Sequence, residues 1–362
     1  MKIGIDVTPI LYEGTGVGEY TRQLVGELLR QNPDDEFMLF FSTLRGFNKI
    51  KEKLKEWGGD DKVHVVGFPF PPVFWQFVWN KLNLIKIEWL IGKVDVFHCW
   101  DYLIPPSNCP RIVTIHDLTP ILYPGTHTIK IVDNFKLVLQ KIRHEKIPVL
   151  TVSENSKKDL IKHAGINADS LHVVYNGKDK FEPPVSNTEN ISDKYILCVG
   201  TREPRKNLNK VVAAFNLIAG KYPELRLIIV GKYGWGKELV SSIKNRVKIL
   251  GFISREKLIH LYKNAVCLVY PSLYEGFGLP VLDAMSLGCP VITSKTSSLP
   301  EVGGEAVLYV NPNDEKEISA SIMRMIEESE LRNELIKKGL VQAEKFSWEK
   351  CARETREIYG QI

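Results

Sequence analysis

Two acids, Glu275 and Asp283, stand eight residues apart on either side of a turn rich in glycine and proline, Pro271-Ser272-Leu273-Tyr274-Glu275-Gly276-Phe277-Gly278-Leu279-Pro280. The apolar run before it (Val266, Leu268, Val269) reads as a buried strand, and Pro280 to Leu287 reads as a helix that begins with proline. A strand, a glycine-containing turn and a helix start make an anion site, because the first helical N–H groups lack partners and the dipole favours negative charge. A phosphate-bearing ligand is expected here. An acid at the lip of such a turn does not itself take the phosphate, which leaves Glu275 to a sugar hydroxyl or a developing positive centre and Asp283 to a ribose diol. The plain alternative for Glu275 is a solvated loop acid.

A second cluster follows the run Tyr195 to Val199. In Gly200-Thr201-Arg202-Glu203-Pro204-Arg205-Lys206-Asn207, three cations fall within five residues at what reads as a strand's carboxyl end. On a turn leading into a helix from Leu208, they suit a diphosphate held by charge-assisted bonds; a solvated basic turn is the alternative. His116-Asp117 ends another apolar run, Arg111 to Ile115, in the place where a functional histidine belongs. Near the N-terminus, Gly14-Thr15-Gly16-Val17-Gly18 follows a strand and precedes an apolar-periodic stretch, Tyr20 to Leu29. Its G-x-G-x-G spacing misses the dinucleotide fingerprint G-x-G-x-x-G, and Pro9 to Glu13 separate it from the strand. A flexible loop that lets a ligand approach the backbone closely is as good a reading.

The elements that must position these residues alternate along the chain. Strands are expected at Ile3 to Val7, Glu36 to Ser42, Val63 to Gly67, Val94 to Cys99, Arg111 to His116 and Val149 to Ser153. After Phe181 to Asp193, which holds Pro183-Pro184 and few apolar residues, strands are expected again at Tyr195 to Val199, Arg226 to Val230, Val247 to Leu250, Ala265 to Tyr270, Pro290 to Thr293 and Ala306 to Val310. Glu315 to Tyr359 reads as helical with a break near Lys345 to Ser347. This pattern implies two α/β, doubly wound halves with parallel sheets, joined by a linker and facing an interdomain cleft, with ligands outside the carboxyl ends of the strands.

A length of 362 residues favours two domains, and 44% hydrophobic with 25% charged residues is ordinary for a globular protein. The net charge of +5 suits anionic small molecules or an anionic membrane and is too weak to argue for nucleic acid. The six cysteines show no C-x-x-C pair and no histidine at ligand spacing, which reads as reduced thiols in a cytoplasmic protein. The N-terminus reads as a strand, without the long apolar core of a signal peptide, and no run reaches the length of a membrane span, so membrane contact is expected only as peripheral, on the inner face. Two stretches bear on it. Phe68 to Trp100 is dense in aromatics, with Lys81 and Lys86 interleaved between Phe74 and Leu90; it reads as a helix buried between domains or, less commonly, as an interfacial one. Ile129 to Lys146 is a basic amphipathic helix, read first as a solvated outer helix and second as a membrane surface.

Taken together and in order, Gly200 to Asn207, Val230-Gly231-Lys232, Gly251-Phe252, Pro271 to Pro280 and Ser298-Leu299-Pro300-Glu301-Val302 closely resemble family 4 of the retaining glycosyltransferases. Gly14 to Gly18, His116-Asp117, Val152 to Ser156 and Val174 to Gly177 match too, so the resemblance spans nearly the whole chain, and its flavour is that of bacterial mannosyltransferases of O-antigen, capsule and exopolysaccharide assembly. The resemblance implies a GT-B fold of two Rossmann-like domains: 1–182 for the acceptor, a linker at 183–193, 194–346 for the nucleotide sugar, and 347–362 crossing back to the first domain. It implies retaining, metal-independent transfer of a hexosyl group, mannose from GDP-mannose foremost, to a glycan or lipid-linked acceptor by front-face attack. No cofactor is expected beyond the donor, and no D-x-D motif stands at a strand end to hold a metal.

Residue by residue, Arg205 and Lys206 match the pair that contacts the donor diphosphate, and Gly16 lies on a loop near it. Gly278 and Leu279 match amides that approach sugar and phosphate. Phe252 matches a residue whose backbone meets the base. Glu275 is the first acid of the family's E-x7-E motif, near the donor sugar, and His116 matches a histidine at the reaction centre. Two departures stand out: the second acid is Asp283, one methylene short for its ribose contact, and Thr201 stands where many relatives carry arginine. A UDP-sugar donor such as UDP-glucose is the alternative within the class, and a sugar-nucleotide epimerase is a different one. A nicotinamide dehydrogenase is disfavoured by the glycine spacing and by Phe41-Ser42 at the end of the second strand, where an acid belongs. A purely structural or adaptor role would leave Arg205, Lys206 and Glu275 without a ligand.

Overall fold

The computed structural model describes residues 1–55, 57, 61–179, 194–234 and 243–362, with only the backbone of Lys49, Lys53, Lys55 and Lys244. The expected linker at 183–193 lies outside the described residues. The chain forms two compact units, Met1–Gly177 with Trp348–Ile362, and Lys178–Ser347.

In the first unit seven parallel strands run in the order β3-β2-β1-β4-β5-β6-β7: β1 Lys2–Asp6, β2 Glu36–Ser42, β3 Val63–Phe68, β4 Val96–Trp100, β5 Arg111–Ile115, β6 Val149–Thr151 and β7 Leu171–Val173. β1 sits centrally, with Ile3 opposite both Phe37 of β2 and Val96 of β4. In the second unit six parallel strands run β10-β9-β8-β11-β12-β13: β8 Tyr195–Val199, β9 Arg226–Val230, β10 Val247–Gly251, β11 Cys267–Tyr270, β12 Val291–Ser294 and β13 Leu308–Val310. Both sheets therefore reverse their winding beside the first strand, between β1 and β4 and between β8 and β11. Crossover connections on either side of such a point leave the sheet in opposite directions and open a crevice at the carboxyl ends. Near-continuous apolar strands such as Tyr195-Ile196-Leu197-Cys198 are buried as parallel strands covered on both faces should be.

The helices that matter for the site are α1 Gly16–Gln31, α2 Ile129–Glu145 and α3 Glu154–Ala164 in the first unit, and α4 Leu208–Ile218, α5 Arg255–Asn264 and α6 Leu279–Ser286 in the second. The expected C-terminal helical stretch is broken twice, giving α7 Glu315–Glu327, α8 Ser329–Ala343 and α9 Trp348–Tyr359. Gly16 stands in the first turn of α1 and not on a loop: Thr15 caps the helix, its hydroxyl accepting from Gly18 N at 3.2 Å. Gly18 is required there, since a Cβ would lie 2.6 Å from Tyr12 O.

The aromatic stretch is not one helix. A turn at Pro72–Trp75 runs into a π-helical turn at Gln76–Lys81, the chain reverses through Asn83 and Ile85 at φ 52° and 61°, and a single turn follows at Glu88–Ile91. Trp75 and Trp79, four residues apart, face the core with ring centroids 4.5 Å apart. Their indole N–H groups are satisfied by Ser42 Oγ (2.7 Å) and Ile85 O (3.0 Å).

α9 lies against α1, where Gln31 Nε2 donates to Glu349 O at 3.2 Å and Arg356 pairs with Asp35. Its last residue reaches the sheet: Tyr359 OH meets Nδ1 of fully buried His98 at 2.5 Å, while His98 Nε2 meets Thr114 Oγ1 at 2.7 Å. Burial pushes the His98 imidazole down to about 3, so the ring is neutral, with one nitrogen donating and the other accepting. Tyr359→Phe leaves a ring nitrogen of His98 unpaired and is expected to lower the unfolding free energy by about 1–2 kcal/mol, read from a urea titration; an unchanged midpoint would show that the bond contributes nothing.

Candidate active site

At the winding reversal of the second unit, the loops after β8 and β11 carry the two clusters singled out in the sequence, and the structure joins them. β8 and β9 end in a pair of glycines pressed together. Gly200 (φ 138°) donates to Val230 O at 2.9 Å, and a Cβ on Gly231 (φ 146°) would lie 1.9 Å from Gly200 O. From there a tight turn at Pro204–Lys206 ends at Asn207 in the left-handed conformation, φ 58°, and α4 begins. Leu273 N donates to Arg205 O at 2.8 Å and Asn207 Nδ2 to Pro271 O at 3.2 Å, so the two loops are tied through the backbone.

Within this frame Glu275 is 6% exposed, which rules out a solvated loop acid. Its Oε2 accepts from Arg205 Nη1 at 2.8 Å, and its Oε1 accepts from Lys206 Nζ at 2.6 Å and from Tyr270 OH at 2.8 Å. Arg205 also pairs with Glu203 at 2.7 Å. Two cations thus meet two acids, and the basic turn is not solvated either. Burial opposes the Glu275 charge, but Lys206 and Arg205 outweigh it and hold the carboxyl down at about 2. The Lys206 ammonium is pushed below its ordinary value by burial and by Arg205, against the pull of Glu275. The loop backbone is fixed from the β12 side, where Ser297 Oγ accepts from Glu275 N at 2.9 Å and Ser298 Oγ donates to Glu275 O and Phe277 O at 2.9 and 2.7 Å.

Gly278, at φ 120°, caps α6. Val281 N and Leu282 N donate back to Gly278 O at 2.9 and 3.2 Å, and Pro280 has no N–H. Of the first helical amides, Leu279's is left to point beyond the helix. Asp283 stands on α6 close enough to raise the pKa of the Tyr262 phenol on α5, after burial itself. Phe252, just past β10, is 56% exposed with Lys232 Nζ 4.6 Å from its ring centroid.

The winding reversal of the first unit gathers a second group. His116 follows β5 and is nearly buried, with the Tyr20 ring edge-on at 4.6 Å. Its backbone N–H donates to Asp101 Oδ2 at 3.3 Å, and its Nε2 lies 4.0 Å from Asp101 Oδ1. Both of those facing atoms are buried and make no hydrogen bond. Burial raises the Asp101 carboxyl, opposed by His116. Asp6, at the end of β1, is pushed up to about 6 by burial, while accepting from Thr8 N at 2.8 Å. Asp101, Tyr270 and Glu203 escaped the sequence reading; the position of Asp101 directly after an apolar strand next to that of His116 is the signal that would have found it. Among the described residues no three His, Cys, Asp or Glu side chains are grouped as metal ligands.

Gly231→Ala forces a Cβ onto backbone at a φ that L side chains rarely adopt, and is expected to cost more than about 3 kcal/mol, seen as a collapse of the melting temperature. Glu275→Gln leaves buried cations underpaired and should cost about 3 kcal/mol at pH 7. Because the folded pKa of Glu275 is depressed, its contribution is complete above the ordinary value near 4.5 and fades as pH falls toward 2. The wild-type advantage over Glu275→Gln should therefore narrow across that window; a pH-independent gap would contradict the pairing.

Comparison with known proteins bears on the family and the fold. Residues 179–341 match the glycosyl transferases group 1, and residues 14–180 match Glycosyltransferase Family 4. The chain is 30% identical to the O-antigen chain mannosyltransferase B of Escherichia coli over 99% of both chains, and 31% identical to the O-antigen chain mannosyltransferase RfbU of Salmonella typhimurium over 69% of this chain and 70% of that one. In fold it resembles a sucrose-phosphate synthase from Thermosynechococcus elongatus, with TM-score 0.75, 19% identity and coverage of 100% and 98% of the two chains. The two parallel-sheet units are those of the GT-B fold, and the chain is a glycosyltransferase enzyme that belongs to family 4.

Proposed function

We propose that this glycosyltransferase moves a hexosyl group, mannose from GDP-mannose, onto a glycan or lipid-linked glycan acceptor with retention of anomeric configuration and without a metal. The observation that carries the reading is the buried Arg205–Glu275–Lys206 network at the winding reversal between β8 and β11, beside the α6 start. Mannose is favoured by the names of the relatives, two O-antigen chain mannosyltransferases.

Departure of a nucleoside diphosphate takes the electron pair of the anomeric C–O bond onto a phosphate oxygen, so negative charge grows there. Lys206, Arg205 and the Leu279 amide are assigned to meet it. Fixed cations and dipoles in a site shielded from water do this without reorganising at the moment of reaction. Glu275 keeps both ammonium and guanidinium in place and lies next to the transferred sugar; the acceptor hydroxyl attacks from the leaving group's face and passes its proton to the departing phosphate oxygen. Gly16 is assigned to the approach of the diphosphate, Gly278 to the sugar, Phe252 to the base and Asp283 to the ribose. His116 is assigned to a sugar hydroxyl, with the Asp101 carboxyl standing 4.0 Å from its Nε2.

Lys206→Ala and Glu275→Ala are each expected to lower turnover at least tenfold, about 1.4 kcal/mol of transition-state stabilisation, in a transfer or donor-hydrolysis assay; near-native rates would refute the assignment. A ligand that binds only the folded state raises apparent stability with its concentration, so a thermal-shift titration separates the donors. Stabilisation by GDP and not UDP supports the mannose reading, and the reverse establishes a UDP-sugar donor. Turnover of free nucleotide sugar to its epimer without acceptor would identify an epimerase instead.

A further inference from the structure

Six large apolar side chains stay in the open between Phe70 and Trp89: Phe70 40% exposed, Val73 64%, Phe77 50%, Leu82 45%, Leu84 55% and Trp89 73%. Single exposed hydrophobics need no explanation, but six within twenty residues do. They are not on a loose tether. Leu82 N donates to Phe77 O and Leu84 N to Val78 O, each at 3.0 Å. Lys141 of α2 reaches across to Trp79 O (3.1 Å), Asn83 Oδ1 (2.6 Å) and Ile104 O (3.0 Å). Trp75 and Trp79 anchor the segment from below. The reversal places Asn83 and the β-branched Ile85 in the left-handed region, φ 52° and 61°, a conformation that costs about 1–2 kcal/mol per residue. Its product is a firmly held apolar ridge. Leu84, Lys86 and Trp89 line one groove of about 530 Å³, so the later part of the segment is continuous surface.

The exposed charge on the segment itself is basic, and the rest of the groove adds only the mutually paired Arg111 and Glu145. From Phe68 to Val94 the ionisable residues are Lys81, Lys86, Lys93 and Glu88. Glu88 is turned inward, its Oε1 accepting from Ser107 Oγ, Asn108 N and Cys109 N at 2.7, 2.6 and 2.9 Å. Lys81 lies over the Phe77 ring, 5.8 Å from its centroid. α2, joined to the segment by Asn80 Nδ2 and Asn134 Oδ1 at 2.8 Å, brings exposed Ile129, Lys130 and Lys136 with one exposed acid, Asp133, so the balance stays basic.

We propose that this ridge docks the first unit onto an anionic phospholipid bilayer, with the Phe, Leu and Trp side chains entering the headgroup boundary and the lysines meeting lipid phosphates. Exposed aromatic and aliphatic residues interleaved with cations are what such a boundary takes up. A second copy is a poor occupant, because a two-fold contact would set the same lysines against each other. Protein interfaces also exclude lysine from their centres. The proposal stands on the surface alone and needs no assumption about donor or acceptor.

The test is co-sedimentation of the full chain with vesicles of phosphatidylglycerol and phosphatidylcholine, and with phosphatidylcholine alone, at low and high salt. Preferential binding to the anionic vesicles that weakens with salt is expected, with Lys81→Glu and Trp89→Ser each lowering it at least about fivefold. Both positions are exposed, so melting temperature and donor hydrolysis should stay at wild-type values. Equal binding to neutral vesicles, no binding, or unaltered binding by both variants would overturn the proposal. So would concentration-dependent dimerisation that Trp89→Ser abolishes while vesicle binding is absent, which would assign the ridge to a second copy.

Discussion

A carboxylate taken out of water has to be given its counter-charges, and around Glu275 that requirement organises three strand ends. Arg205 and Lys206 come from the loop after β8, Tyr270 from the end of β11, and Ser297 and Ser298 from beyond β12. Removing Glu275 leaves buried cations short of a counter-charge, which costs more than the pairs themselves contribute. The network is therefore a constraint on geometry as much as a store of energy. With Glu203 the four charges sum to zero, so the loop stays compact while keeping two cations at the sheet's carboxyl edge.

The two units share a strand order, and each leaves some buried polar atoms unpaired, Arg202 Nε and Ser272 Oγ among them in the second. In the second unit the Glu275 carboxylate accepts from three donors. In the first, Asp101 Oδ1 and His116 Nε2 face each other across 4.0 Å, both buried and unbonded. Unpaired polar atoms in a folded interior are uncommon and are expensive where they occur, so such a pair beside a winding reversal marks a place where stability has been given up for something else.

Much of the architecture was legible because parallel strands buried on both faces announce themselves as apolar runs ended by glycine or proline, as at Tyr195 to Gly200 and Arg226 to Gly231. β7 was missed because three residues, one of them His172, make too short a run. A G-x-G-x-G run after a strand reads as a loop that lets a ligand approach the backbone, but the Thr15 cap and the close backbone at Gly18 start the helix at Gly16. The ion network links residues about seventy positions apart, and no local pattern encodes a contact of that range. In the aromatic stretch the excess of apolar residues was visible, but its division into buried Trp75 and Trp79 and exposed Phe77 and Trp89 depends on the reversal at Asn83 and Ile85, held by Lys141 from a distant helix.

The return of α9 to the first sheet also sets an order of events on the ribosome. The first unit is discontinuous: its buried His98 takes its partner from Tyr359, and Asp35 takes its guanidinium from Arg356, three residues from the end of that helix. The second unit is a single uninterrupted stretch, Lys178–Ser347. During synthesis the first sheet thus waits for a segment that follows the second unit, and its buried His98 gains its Tyr359 partner only after Lys178–Ser347 has been made.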